Sequence, residues 1–145
     1  MLSCHDVARY FLAQCDEEAG DLISNLKLQK LVYYAQGFSL ALLGRPLFVE
    51  EIEAWQHGPV VPALYHEYKQ YGSGSIPIPQ DIDYHLYSDE EKELLDEVAS
   101  VYGQFSAWKL RNMTHEEAPW ASVQHAIPCE ISQDSLSAFF RTRVQ

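Results

Sequence analysis

Residues 24–43 constrain the fold of this chain more than any other stretch. Ser24 or Asn25 suits a helix N-cap, because a short polar side chain can accept one of the free N–H groups of the first turn. Gly44 suits the stop, and Pro46 beyond it cannot continue a helix. Between them Leu28, Leu31, Val32, Ala35, Phe38 and Leu42 recur at helical spacing and form one wide apolar stripe. A helix this long with so broad a stripe is expected to be the central element, with others packed around it. Lys27 and Lys30 flank the stripe and are expected to be solvated or paired with the many carboxylates.

The flanking segments read as further helices. Ser3 with Asp6 three residues on resembles a capping box, and Val7, Tyr10, Phe11 and Gln14 mark the inner face of the helix that follows. Residues 16–21 read as a solvated acidic turn. The short, partly alternating segments at 47–49 and 52–55 suit a small β-hairpin or extended segment near residues 47–56. Pro59 has the chemistry to open a third helix over residues 60–71, with Pro62 still in its first turn and Gly72 ending it. Residues 72–87 are rich in Gly, Ser and Pro and read as a long surface loop. Ser88 opens a fourth helix through an acidic first turn, with Leu94, Leu95, Val98, Val101, Tyr102 and Phe105 on its buried face. Ser106 caps a fifth helix through Met113, and Pro119 opens a short sixth through Ala126. Ser132 or Asp134 caps the last helix, where Leu136, Phe139 and Phe140 face inward.

The expected fold is therefore mainly α, a single domain over residues 1–145 with six to seven helices. At 145 residues, 47% hydrophobic and 12% aromatic, the chain can bury a core without disulfides or metal. Cys4, Cys15 and Cys129 are odd in number and form no C-x-x-C pair, which suits reduced thiols and a cytoplasmic setting. No secretory leader and no bilayer-spanning run is visible, so no membrane association is expected. The formal charge of -11 repels phosphate backbones and argues against direct nucleic-acid binding. The same charge favours a basic partner.

Two local constellations carry possible chemistry. In Trp55-Gln56-His57-Gly58-Pro59 an aromatic, a His and a helix start converge, which suits a small anion or peptide pocket. Its structural reading is that Gly58 supplies an unusual φ, Pro59 starts a helix and Trp55 is core. His115 and Glu117 beside Trp120 invite acid–base or metal chemistry, and with His57 would make a hydrolytic or transferase site. The second His of H-E-x-x-H is missing, so the spacing favours a turn at Thr114, carboxylates near a helix start and a docked Trp120. No cofactor or metal is expected. Tyr65, Tyr68 and Tyr71 form a stripe that faces either core or partner.

Taken in order, Leu28-Gln29-Lys30-Leu31-Val32-Tyr33-Tyr34-Ala35-Gln36, Gly44-Arg45-Pro46-Leu47-Phe48, Glu53-Ala54-Trp55-Gln56-His57-Gly58-Pro59-Val60 and Thr114-His115-Glu116-Glu117-Ala118-Pro119-Trp120 resemble the motifs of the Panacea domain. This is the family of SocA-like antitoxins and phage-associated GepA-type proteins, and the resemblance runs from about Val7 to Trp120. It implies a small, mainly helical antitoxin that binds and neutralises a cognate toxin encoded beside it. It also implies that members pair with very different toxins, and that one branch hands its toxin to a cytosolic protease. Partner contacts are expected at Trp55, His57, Gly58, Tyr65, Tyr68 and Tyr71, and along residues 72–87.

Overall fold

The computed structural model describes residues 1–16, 18, 20 and 22–144, so part of the expected acidic turn at 16–21 lies outside the described residues. The chain opens with α1 (Cys4–Ala13), where Ser3 Oγ accepts the Asp6 N–H and the Asp6 carboxylate accepts the Ser3 N–H. The central helix is α2 (Asn25–Leu42), capped by Ser24 and stopped before Gly44 at φ +71°. Strands β1 (Ile52–Trp55) and β2 (Gly58–Val60) form a hairpin, followed by α3 (Pro62–Tyr68) and one 3₁₀ turn to Tyr71. Then come α4 (Asp89–Tyr102), α5 (Ala107–His115), α6 (Ala118–Ala121), β3 (Cys129–Ile131) and α7 (Gln133–Arg141). Ser88, Ser106 and Ser132 cap α4, α5 and α7, the last in preference to Asp134. The chain is mainly α with one small sheet.

Expectation and structure differ at the hairpin. Pro59 does not start a helix; it sits in β2 opposite Ala54, and Pro62 takes the first helical position instead. The sheet order β2-β1-β3 explains why a proline is tolerated there, since β2 is an edge strand and the missing N–H breaks no interior ladder. Strand β3, pairing antiparallel with β1 from Ile52↔Ile131 to Ala54↔Cys129, has no counterpart in the sequence reading. The third helix is shorter than expected, and the sixth ends at Ala121 with a separate 3₁₀ turn at Gln124–Ala126. Residues 72–87 are held down rather than merely crossing the surface. Ile76 is buried and donates its N–H to the Ile23 carbonyl at 2.9 Å, and buried Tyr87 donates its hydroxyl to the Asp6 carbonyl.

Helix α2 is not one-faced. Besides its apolar stripe it buries Asn25, Gln29, Lys30, Gln36 and Ser39, because α7, α4, α5, α1, α3 and β2 enclose it from several sides. Each buried polar group then requires a partner, and those partners organise the site. Lys30 in particular is not a solvated flank. At the other extreme, Leu42 and Val101, both expected in the core, are 58% and 40% exposed.

Candidate functional site

The polar side chains of α2 reach sideways and tie down the hairpin. Gln36 donates Nε2–H to the Phe48 carbonyl at 2.9 Å and accepts the Leu47 N–H at 2.8 Å. Gln29 accepts the Val61 N–H at 2.9 Å and donates to Asn25 Oδ1, while Asn25 donates to the Tyr65 carbonyl. Fully buried Lys30 donates Nζ–H to the Pro59 carbonyl at 2.9 Å. Burial pushes its ammonium down to about 7, and the Arg111 guanidinium pushes the same way. Among the described residues Lys27 likewise forms no ion pair with a carboxylate; it donates to the Gly103 carbonyl at 2.6 Å.

The turn above Lys30 admits only glycine. Gly58 is buried at φ +108°, and a Cβ there would lie 2.7 Å from Thr114 Oγ1 and 2.8 Å from Lys30 Cε. Thr114, fully buried in the last turn of α5, donates its hydroxyl to the Arg111 carbonyl. Beyond it Trp120 donates Nε1–H to the Trp55 carbonyl at 2.7 Å and stacks flat on His115, centroids 3.9 Å apart. Burial and the Arg111 charge hold the His115 imidazole below its ordinary range. Its Nε2 is buried without a hydrogen-bond partner among the described residues.

Glu117, just before α6, is buried and accepts the Tyr33 hydroxyl on one oxygen at 2.9 Å and the Tyr34 hydroxyl on the other at 2.8 Å. Burial raises its carboxyl above the usual range, opposed by those two donated hydrogen bonds. Both tyrosines are pushed well above theirs, first by burial and next by the Glu117 charge. This carboxylate is engaged by two phenols, and neither His57 nor His115 reaches it among the hydrogen bonds of the described residues. The three groups do not form one donor cluster; that description fits Cys4, His5 and Glu50, whose ligand atoms lie within 4.8 Å of one another. There Glu50 accepts the Cys4 N–H at the start of α1, and His5 pairs with Glu67.

What the hub shows to solvent is an aromatic and cationic rim. Half-buried Trp55 meets Tyr65 edge-on at 4.9 Å, beside a cleft of about 410 Å³ lined also by Asn25, Gln29, His57 and Lys69. Exposed His57 accepts from Arg111 Nε at 3.3 Å, and the Arg111 guanidinium lies 4.5 Å over the ring of Trp108, itself 55% exposed. Of the tyrosine stripe, Tyr65 faces outward while Tyr68 and Tyr71 are half-buried, packed on the core with their rings 6.5 Å apart. Gly58 lies inside, shaping the rim without facing solvent. Sequence reasoning missed Lys30, Trp108 and Arg111. The signal for Lys30 was its place between Gln29 and Leu31 in a stretch almost free of other charge.

The family described as "Antitoxin SocA-like, Panacea domain" matches residues 28–121, from the first turn of α2 to the end of α6, and so takes in the hub from Gln29 to Trp120. Antitoxin SocA of Caulobacter vibrioides (strain NA1000 / CB15N) is 36% identical over 109 residues, covering 68% of this chain and 58% of that protein. The chain thus spans little more than half the length of this curated relative. No solved structure matches. Among the described residues no helix is long and apolar enough to cross a membrane.

Proposed function

The chain belongs to the SocA-like antitoxin, Panacea-domain family, and from that premise we propose that it is a cytoplasmic protein-binding antitoxin without catalysis of its own. It neutralises a cognate toxin by direct contact through the rim of the hub. Trp55, His57 and Tyr65 make the contact, with Gly58 in the turn beneath and Tyr68 and Tyr71 at its half-buried margin, and residues 72–87 extend the surface. The observation that supports this reading is how the hub's polar groups are used. Gln29, Lys30, Gln36, Thr114, Glu117 and Trp120 each hydrogen-bond within the fold, while the aromatic rings beside them remain accessible. A rigid platform carrying exposed Trp and Tyr rings is the chemistry of a binding hot spot. The charge of -11 favours a toxin with a basic contact surface, whose cations would meet carboxylates outside the cationic rim, and hand-over of the toxin to a cytosolic protease is a compatible outcome of binding.

The experiment is co-expression with the product of the adjacent open reading frame, followed by affinity measurement on the purified pair. Neutralisation and a stable complex are expected, and Trp55→Ala with Tyr65→Ala weakens the complex roughly 30-fold or more, about 2 kcal/mol. A harmless neighbour that forms no complex removes the basis of the reading. Shortening of the toxin's half-life only when both antitoxin and a cytosolic protease are present identifies the adaptor route.

A further inference from the structure

The C-terminal end of α2 and the neighbouring α4 carry a second surface. Leu42, at the end of α2, and Leu94 and Glu97 of α4 line two hollows of about 280 and 370 Å³, and these shared walls make them neighbouring parts of one surface groove. Its apolar floor extends to Val101 and Val144, and Leu42, Val101 and Val144 are 58%, 40% and 37% exposed. Large aliphatic side chains held in water are unfavourable, and gathered in a concave strip they mark a contact surface. The floor is braced from beneath, since Tyr102 stacks on Tyr34 at 4.0 Å and so ties the groove to the hub.

The carboxylates of the groove lie along one edge. Glu90, Glu93 and Glu97 line its α4 edge, all exposed, and none is in an ion pair among the described residues. At spacings of three and four they project from one helix face. Arg143 stands at the opposite end, beside Val101 and Val144, with its guanidinium over Phe139 at 4.8 Å. The surface is therefore polarised from an acidic end to an apolar end with one cation. From Glu90 to Val101 it measures about 16 Å at 1.5 Å per residue, the length of roughly three helical turns.

We infer that this groove docks a basic amphipathic helix of the partner protein, laid along α4 with its apolar stripe on Leu42, Leu94 and Val101 and its Lys or Arg side chains over Glu90, Glu93 and Glu97. The inference rests on the reading of the chain as a protein-binding antitoxin and gives the partner a second point of attachment, separate from the Trp55 rim. Charge complementarity selects the occupant. A second copy of this chain would bring more carboxylates to the same edge, and like charges face to face are repulsive. An amphipathic helix offers aliphatic anchors at i, i+3, i+4 and i+7 together with a charged margin, which is the pattern the groove mirrors.

The probe is a Lys/Leu amphipathic peptide of about twelve residues, with a Glu/Leu peptide of the same pattern as control. Binding is read by calorimetry and by amide shifts in the full chain. The Lys/Leu peptide is expected to move the amides of α4 and of Leu42, and the Glu/Leu peptide to leave them in place. Glu93→Lys with Glu97→Lys, and separately Leu42→Ser with Val101→Ser, each weaken binding about tenfold or more. Glu51→Lys with Glu130→Lys, two exposed carboxylates outside the groove, change it less than about twofold. Equal loss in both charge-reversed pairs, or full binding by the Leu42/Val101 pair, would overturn the inference. So would a wild-type dimer that the Leu42/Val101 pair turns into a monomer, because the occupant would then be a second copy. In co-expression, neutralisation by wild type and groove variants alike removes the groove from the mechanism and leaves the antitoxin reading standing. Failure of the wild type to neutralise removes the antitoxin reading itself, whatever the peptide does.

Discussion

Lys30 offers the sharpest test of the hub, because replacing it should make the protein more stable. Its ammonium is fully buried, has the Pro59 carbonyl as its hydrogen-bond acceptor, and feels the Arg111 charge with no carboxylate among the described residues to offset it. A drop from the ordinary 10.5 to about 7 corresponds to roughly 5 kcal/mol favouring the neutral amine in the folded state, at about 1.4 kcal/mol per pKa unit. The sign follows from proton counting. Between about 7 and 10.5 the unfolded chain holds a proton on this lysine that the folded chain has released, so stability rises with pH through that window. The destabilisation is fully present below it. Other groups bound the useful range. His115, also pushed down, acts in the same direction but below its ordinary range near 6.5. Cys4, pushed up to about 12 by burial, acts in the opposite direction once the unfolded thiol begins to ionise near 9, and the raised tyrosines follow above it.

Urea titrations at a series of pH values from about 7 to 9 therefore isolate Lys30, and wild-type stability is expected to climb by about 2 kcal/mol across that span. Lys30→Met should flatten the climb. At pH 6 the variant sheds the roughly 5 kcal/mol term and leaves the Pro59 carbonyl without its donor, which costs about 1–3 kcal/mol, for a net gain of about 2–4 kcal/mol. Two results would refute this reasoning. One is the same pH slope in wild type and variant; the other is a variant that is less stable than wild type at pH 6. Either would mean that the ammonium is stabilised where it lies.

Two further substitutions probe the same hub. Gly58→Ala places a methyl group 2.7 Å from Thr114 Oγ1 at φ +108° and is expected to lower stability by roughly 2–4 kcal/mol in urea melts, with the Trp55 rim disordered before the core. Glu117→Gln retains one acceptor for two phenols, so either Tyr33 or Tyr34 loses its partner; the expected loss is about 1–3 kcal/mol at neutral pH. Because burial raises the Glu117 carboxyl, the folded wild type takes up a proton before the unfolded chain does as pH falls, so wild type gains stability that Gln cannot gain and the loss should grow on acidification, which the same melts at acidic pH would follow.

The helices were legible in the sequence because their signals are local. Ser3, Ser24, Ser88, Ser106 and Ser132 each cap the helix they precede, and Gly44 and Gly72 mark ends through positive φ. The sheet was legible only in part. Strand β3 is three residues long and is defined by pairing with a β1 that precedes it by more than 70 positions, so no local pattern announces it. Pro59 was misplaced because its fixed φ suits both a first helical turn and an edge strand, and only the hairpin around Gly58 decides between them. The site was legible as motifs and not as contacts. Nothing in the spacing of Tyr33, Tyr34 and Glu117 shows that two phenols and a carboxylate meet across 83 residues. Lys30 was misread for a general reason: a charged residue in a helix is usually solvated, and the exception is set by tertiary enclosure of α2 on several sides.

The apolar stripe on a helix is a statement about where hydrophobic residues lie, and burial is a statement about what covers them. For α2 and α4 the two agree along most of their length and part company at Leu42 and Val101, where the stripe continues beyond the neighbouring elements. The hub can therefore stay fixed while the surfaces that choose a partner change. Trp55, His57 and Tyr65 on one side and Leu42, Glu93 and Glu97 on the other contribute no side-chain hydrogen bond to the Lys30, Glu117 or Gln36 networks. Substitutions among them should alter binding with little change in stability, whereas substitutions at Gly58 or Glu117 should do the reverse. Recognition would then rest on side chains that the fold does not need.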